Sequence, residues 1–579
     1  MFIISKLHNL DSSNKNLSLQ ITRDGEIMLS KTDLKSGFNV TVIFLVFLMF
    51  CAEEVLSFEK NDAIVKSQLS NFTLNDSGAS KHQSLNNSSS NIQGNIASES
   101  KFVPNTQNKN RFRAGLEISL FIGTGIIGYN YWQEKMKDDW EFEYKNLDDY
   151  LERFFTTDQI KFDDNDILYN WGHVYAGAFY HQVGRVNGYS NYESLLISMA
   201  GSSVWEYVIE FREAISINDQ VMTGIGGAIL GETFYQMASL LKKRSKTPLA
   251  KLIANYLQPI DIAETLFDRN NIALNTIERQ PLGFSKGNLE KFTIFTGSKH
   301  VLQSSSHYSV FELGLAGEMI KLPIASPGSS NRITTDTVAV EITQTVGLNQ
   351  NGIRDYYSYT KVVPSAFFSK RISSNQNGYS LVVGPAAGTE YNSRGFGHKQ
   401  DFYAMVNLLG GTFDLIFFRN QKSLRMALDI YGDVAFVRPF VTNPYFATGN
   451  TYVDAKTILR KKTYYYAIGT SMRSRVEAQV TKKLALGFTG VYHKLRSFDE
   501  GNKDRRVEGV KRKLALMDGI GRFKTWISYD LKHRWSVTGI LEKSFRSGTI
   551  DESSSQEKTT FNITGTETVF KLELNYDIL

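Results

Sequence analysis

From about Leu289 to the last residue, apolar and polar positions alternate with a period of two. Phe311, Leu313, Leu315 and Met319 alternate with Glu312, Gly314, Ala316 and Glu318. Val338, Val340 and Ile342 do so with Ala339, Glu341 and Thr343. Between Tyr464 and Val480 one face carries Tyr464, Tyr466, Ile468, Met472 and Val476, and the other Arg473, Arg475, Glu477 and Gln479. The final stretch sets Phe570, Leu572, Leu574, Tyr576 and Ile578 against Lys571, Glu573, Asn575 and Asp577. Such alternation predicts strands with one apolar face. Long strands, charges confined to one face and aromatics near the ends describe an outer-membrane type of β-barrel, of about ten to fourteen strands. A water-soluble sandwich or open barrel with one wet face alternates in the same way. The chain ends Tyr576-Asp577-Ile578-Leu579, one step out of phase with the usual terminal aromatic. Turns are expected at Gln350-Asn351-Gly352, Asn375 to Gly378, Gly410-Gly411 and Glu500-Gly501-Asn502.

Before Leu289 the period lengthens to that of helices. The first is expected over Trp171–Val183, the second over Tyr192–Arg212 and the third from Ser216 onward. Ser216 reads as an N-cap with Asp219 three residues on, a capping-box relative with a shorter acid. Thr223, Gly227 and Gly231 then recur every four residues, a stripe along which another helix approaches closely. A last helix is expected over Pro248–Tyr256, after the basic run Lys242-Lys243-Arg244 and Lys246, which suits a helix end. Upstream, Arg113–Trp132 is apolar and glycine-rich. It reads either as a membrane-embedded or barrel-plugging helix or, as Glu117 and the glycines favour, as a buried helix. Asp138–Phe155 is acidic and aromatic and reads as an amphipathic surface helix.

The N-terminal part predicts export. Met28 is the expected start, Lys31 and Lys35 form a positive n-region, and Val40–Phe50 is a short apolar h-region. Cleavage is expected after Ser57; a single membrane anchor is the competing reading, and lipidation at Cys51 a third. From about Glu59 to Asn110 the chain is rich in Ser, Asn, Lys and Gln and reads as a disordered linker. The expected organisation is therefore a leader and signal over 1–57, a linker over 58–110, a helical domain over 111–270 and a barrel over 271–579. The fold class is α+β: an N-terminal helical domain followed by a C-terminal antiparallel β-barrel.

Composition narrows the function. The 65 basic and 59 acidic residues leave a net charge of only +6, which speaks against a nucleic-acid partner. The single cysteine, Cys51, excludes an intramolecular disulfide and any zinc site built on several cysteines. With 28 Tyr and 38 Phe spread over a chain of few apolar runs, the partner expected is outer-membrane lipid.

Candidate chemistry is confined to Asn170–Met237, where ionisable residues interrupt apolar helical patterns. Glu206, Glu210 and Glu213 fall at i, i+4 and i+7, so on a continuous helix they share one face and repel. His173, His181, Arg185 and Arg212 are the nearby cationic candidates. His173, Glu206, Glu210 and Asp219 are the candidate catalytic set. A histidine among carboxylates positions a divalent metal or acts as base and orienter in hydrolysis. Asn170, Arg185, Trp205 and Asn218 are candidate binding residues. The bland alternative is a buried polar network joining three helices, with Trp205 as packing. No H-E-x-x-H, G-x-S-x-G or P-loop string is present, and no metal or cofactor is identified by the spacing.

The same stretch resembles a bacterial domain-of-unknown-function family, number thirty-nine forty-three. The matching residues are Asn170, His173, Gly177 and Tyr180, then Arg185, Asn187 and Gly188, then Gly201, Ser202, Trp205, Glu206, Tyr207 and Glu210. The last block is Ser216 to Gln220, Thr223, Gly226, Gly227, Gly231 and Glu232. Val174 and Ile215 stand where the family usually has proline. The resemblance implies a Gram-negative envelope protein and no established activity. Two functions are therefore carried forward. The first is an outer-membrane protein with a structural, transport or envelope-maintenance role, its helical domain facing the periplasm or inside the barrel. The second is an envelope hydrolase or metal-dependent enzyme acting on lipid or a lipid-linked substrate.

Overall fold

The computed structural model describes residues 109–136, most of 160–260 and 288–579 with gaps, the longest over 442–458 and 499–512, together with the backbone of two strands near the N-terminus. Those two, β1 (Asn16–Ile21) and β2 (Ile27–Asp33), form an antiparallel hairpin within a separate unit, Met1–Phe102. β2 runs through the start of the expected n-region. The rest of the expected signal, the linker up to position 108 and, apart from Asp148, the expected helix over 138–155 lie outside the described residues.

Twelve strands, β5 (Leu289–Leu302) to β16 (Lys558–Asp577), pair antiparallel in sequence order, and β16 pairs with β5 to close the barrel. The strand number falls within the range read from the sequence. Ion pairs between strands that are not neighbours identify the inward face. Arg425 of β11 (Lys422–Val437) meets Glu318 of β6 (His307–Ile320) at 2.5 Å. Lys571 of β16 meets Glu312 of β6 at 2.9 Å. Glu390 of β9 (Gly378–Phe396) receives Arg473 of β12 (Tyr465–Gln479) and Arg522 of β14 (Lys513–Asp530). Apolar clusters fill both ends of the lumen. One holds Phe368, Val382 and Ile416 with Leu322 and Ile324; the other holds Tyr465, Leu516 and Ile550 with Val441 and Leu459. Many outward positions are apolar and exposed, among them Phe523, Leu541 and Phe570. A closed, internally satisfied sheet with a greasy outer wall is the form that strands take in a bilayer.

Two expected turns, at Gln350-Asn351-Gly352 and Asn375 to Gly378, join β7 (Gly328–Asn349) to β8 (Gly352–Ile372) and β8 to β9. Glu500-Gly501-Asn502 lies outside the described residues. Gly410-Gly411 is not a turn. It lies inside β10 (Lys399–Arg419), beside an irregularity in pairing between Asn407 and Leu409. A bulge inserts an extra residue and swaps which side chains face out. Thus Phe402, Ala404 and Val406 point outward on one side of it and Phe413 and Phe417 on the other.

The helices are α1 (Arg111–Met136), α2 (Ile167–Val186), α3 (Asn191–Val204), the short α4 (Ile217–Asp219), α5 (Gly227–Arg244) and α6 (Pro248–Leu257). α3 runs on into a π turn, Trp205–Ile209, and α4 reaches α5 through another, Gln220–Gly226. Caps form where the sequence places them: Ser190 makes a full capping box with Glu193, Ser216 accepts from the Asp219 amide, and Thr247 caps α6. The small-residue stripe does what its spacing predicts. A Cβ on Gly177 would lie 1.8 Å from the Thr223 carbonyl, and one on Gly227 would lie 2.4 Å from the Gly177 Cα. Only glycine permits that approach of α2 to α5 and its preceding turn.

The helices pack on the outer wall of the barrel. Tyr465 donates into the lumen to Asp518, whereas Tyr464 and Tyr466, one step either side, donate to Asn165 and Asp163 ahead of α2. Tyr357 accepts from lumenal Arg473, while the hydroxyl of Tyr356 meets that of Tyr175 on α2. Phe292, Met319, Val340, Ile342, Val406 and Phe436, all outward, join one core with Val174, Leu230, Phe234 and Met237. The helices therefore do not lie inside the barrel: among the described residues the lumen is filled by the barrel's own side chains. α1 also departs from its buried reading. Ala114 is buried, but Phe112, Leu116, Leu120 and Ile127 are exposed.

Candidate functional site

α2 carries a buried polar cluster at each end. The first lies where its N-terminus meets α4. Asn218 is its hub: its amide nitrogen donates to Asn170 (3.1 Å) and to Asp219 (3.0 Å), and its oxygen accepts from the Asp163 amide (2.9 Å) and from Ser216 Oγ (2.9 Å). Ser216 is held twice more, its amide donating to Glu206 and its hydroxyl to Asp163, each at 2.9 Å. The parallel pair β3 (Ile160–Lys161) and β4 (Ile215–Ser216) brings Asp163 in from a distant part of the chain. His173 reaches Thr223 at 3.3 Å through Nδ1 and lies 3.8 Å from Asp219 through Nε2.

Four of the sequence candidates therefore converge here, Asn170, Glu206, Asn218 and Asp219, with His173 at the margin. Glu210 lies alongside, its carboxylate accepting from the Trp205 indole at 2.9 Å. Glu213 leaves the set. The π turn breaks the expected i, i+4, i+7 face, and Glu213 accepts from Tyr129 of α1 instead. The Trp205 ring fills the space over Gly125 and meets Tyr129 edge-on. Asp163 is the member that the sequence reading missed; the acidic run just ahead of Asn170 was the signal available.

Burial governs the electrostatics. Asp219 is pushed well above the usual carboxylate range, first by burial, then by Asp163 and Glu206 beside it. Glu210 is raised likewise, by burial and then by Glu206 and Glu213. Burial lowers His173 to about 4, against a smaller opposing pull from Asp163. The cluster thus favours neutral forms, and a carboxyl of this kind both donates and accepts. Among the described residues no group of three or more His, Cys, Asp or Glu side chains is arranged to hold a metal ion.

The second cluster contains Arg185, which the structure separates from the first. Glu232 of α5 is its centre. It accepts from His181 (2.9 Å), Gln236 (2.7 Å) and Thr337 (2.7 Å), and pairs with Arg185 at 3.0 Å. Thr337 belongs to a break in β7 pairing, where Asp336 and Thr337 both have positive φ. Asn191 donates to the same hydroxyl, so this cluster fastens α2, α3 and α5 to the wall. Arg185 holds Glu232 well below the usual carboxylate range despite its burial. The sequence points to His181, Arg185 and Glu232 but not to Thr337, which lies far along the chain.

The class these features define is a closed, outer-membrane type barrel with a helical layer bound to its outer wall. The resemblance read from the helical signature is borne out, since residues 159–260 match the model of a domain of unknown function, DUF3943. No curated protein matches the chain. Solved structures similar to its barrel half include OmpT, an outer membrane protein of Vibrio cholerae (8% identity, 51% of this chain and 98% of that one, TM-score 0.13). Others are the Pseudomonas putida toluene transporter TodX (7%, 51% and 90%, TM-score 0.19) and Pseudomonas putida OprB (8%, 50% and 94%, TM-score 0.16).

Proposed function

We propose that this protein is an outer-membrane scaffold with a role in envelope maintenance, its barrel a closed post that holds the helical layer in place. The observation that carries this reading is the lumen. Ion pairs cross it at several levels, and Glu390, His493 and Arg546 within it are at 1 % exposure or less. A path for solute needs an open, watered interior, and a dense network of ion pairs between two apolar plugs is the opposite. The test is reconstitution of the full chain in planar bilayers. No steady conductance is expected, and stable open-channel steps would overturn the reading.

A second reading, an envelope hydrolase acting on a lipid or lipid-linked substrate, draws on one observation: the strongly raised carboxyl of Asp219 beside His173, in a cluster where Glu210 is raised too. Asn170 and Asn218 would then orient the substrate or the carboxyls. On this reading Asp219→Asn and His173→Gln abolish function while the protein stays folded and abundant in the membrane. Variants that fail to accumulate would make the cluster purely structural.

A further inference from the structure

The helical layer has an outer side that nothing in the chain covers among the described residues. On α3 and its π turn, Leu196, Met199 and Val208 are exposed; on α1, Leu116, Leu120 and Ile127 are. We propose that this surface lies in the hydrocarbon of the outer membrane, so that the layer is an intramembrane flange on the barrel wall, in contact with lipid acyl chains. The proposal rests on the reading that the barrel spans that membrane.

Three observations carry it. The first is level. The wall residues under the helices run from Phe292 and Met319, near the end where the chain enters and leaves the barrel, to Phe436, Tyr464 and Tyr466 at the opposite end. The covered wall is flanked directly by bare, greasy wall. On β12 Ile468 is 46% exposed, whereas Tyr466, the next outward residue, is buried. On β6 Leu313 is exposed, whereas Leu315 and Met319 lie under the helices. The layer therefore stands where lipid stands on the rest of the wall.

The second is charge. From Ile118 to Gln133 α1 has no charged residue, and α3 has none from Ser194 through the adjoining Trp205. Sixteen helical residues rise about 24 Å, close to the roughly 25 Å apolar band of such barrels. Charges gather at the two ends: Lys109 pairs with Glu193 at one, and Arg212 and Glu213 follow the π turn at the other. No described helix is long and apolar enough to cross a membrane alone, and none needs to, because the wall supports them.

The third is hydroxyl satisfaction. Ser119 donates to the Gly115 carbonyl at 2.8 Å, Thr124 to that of Leu120, and Ser203 to that of Met199 at 3.0 Å. Each returns its proton to its own helix one turn back, which removes the need for water.

The test uses the full chain with Cys51→Ser, reconstituted in phosphatidylethanolamine–phosphatidylglycerol vesicles, with single nitroxide-labelled cysteines. Leu120→Cys, Leu196→Cys and Val208→Cys probe the layer. Leu541→Cys and Phe523→Cys report the bare wall, and Lys482→Cys, in an exposed turn, reports water. Each variant is first checked for the heat-dependent gel shift of a folded barrel. The layer labels are expected to relax with molecular oxygen, and to resist a water-soluble nickel chelate, to the same degree as the wall labels. Layer labels that respond to nickel like Lys482→Cys, with wall labels in lipid, would overturn the proposal and leave the barrel reading intact. Layer labels shielded from both reagents would overturn it in favour of a protein cover, such as a second copy. Wall labels in water would bring down both.

Discussion

Two stretches of barrel wall have the same alternation and different surroundings. On β13 (Leu484–Ser497) to β16, outward Tyr492, Phe523, Leu541 and Phe570 stand exposed. On β7 to β12, outward Ile342, Val406 and Phe436 are buried under helices. The difference lies in the polar residues between them. Under the helices the outward face carries Gln344, which accepts from Tyr256 of α6, and Tyr356, which meets Tyr175. Thr360 and Thr389 share a hydrogen bond there at 2.7 Å. On the bare wall, Thr525 donates to the backbone carbonyl of Leu541. An outward amide or phenol with a side-chain partner thus marks wall covered by protein, whereas aliphatic and aromatic side chains predominate on wall that meets lipid.

The comparison can be broken most severely at the helix crossing. Gly177→Val drives a side chain into the Thr223 carbonyl, and is expected to cost about 4 kcal/mol or more. Protease cleavage within 111–257, with the heat-dependent gel shift of the barrel retained, is the expected result. Next is the lumen, where Glu390→Gln leaves Arg473 and Arg522 without their carboxylate. A loss of about 3–5 kcal/mol is expected in guanidinium unfolding from vesicles. A matched pair then compares the two walls. Ile342→Ala opens a cavity under the helices and should cost about 2–4 kcal/mol, whereas Leu541→Ala exchanges a side chain for lipid and should cost less than about 1.

The smallest effect is in pH. His173 is lowered to about 4 on folding, so its contribution to stability is lost as pH falls from its ordinary value near 6.5 towards 4. Asp219 and Glu210 are raised, so theirs is present at low pH and is lost as pH rises through their folded values. His173→Gln should remove the acid-side loss. Its unfolding midpoint should gain on the parent's, by on the order of 2–3 kcal/mol, between about pH 7 and 4.5.

The strands were legible because a period of two survives any surroundings: Tyr464, Tyr466, Ile468 and Met472 do share the outward face. The helix cap at Ser216 and the glycine stripe were legible because each acts through its immediate neighbours. What failed depends on distant chain. Helices on the wall bury the same aliphatic residues that lipid would, so their place was hidden in the pattern. Gly410-Gly411 looks like a turn but sits beside a bulge fixed by pairing with β9 and β11. The π turn after Val204 removed Glu213 from a face that a regular helix would have given it. Asp163 enters the polar cluster through a two-residue parallel pairing that no local signal announces.

The central claim, helices on the outer wall of a filled barrel, is tested most directly by disulfide trapping in the membrane-inserted full chain with Cys51→Ser. A Cβ built on Gly226 lies 2.9 Å from a methyl of Val406, which points outward, a spacing that suits a disulfide. Gly226→Cys with Val406→Cys should link on mild oxidation, and Gly226→Cys with Met405→Cys or Asn407→Cys, both lumenal, should not. Linkage to a lumenal position, with none to Val406→Cys, would contradict the account.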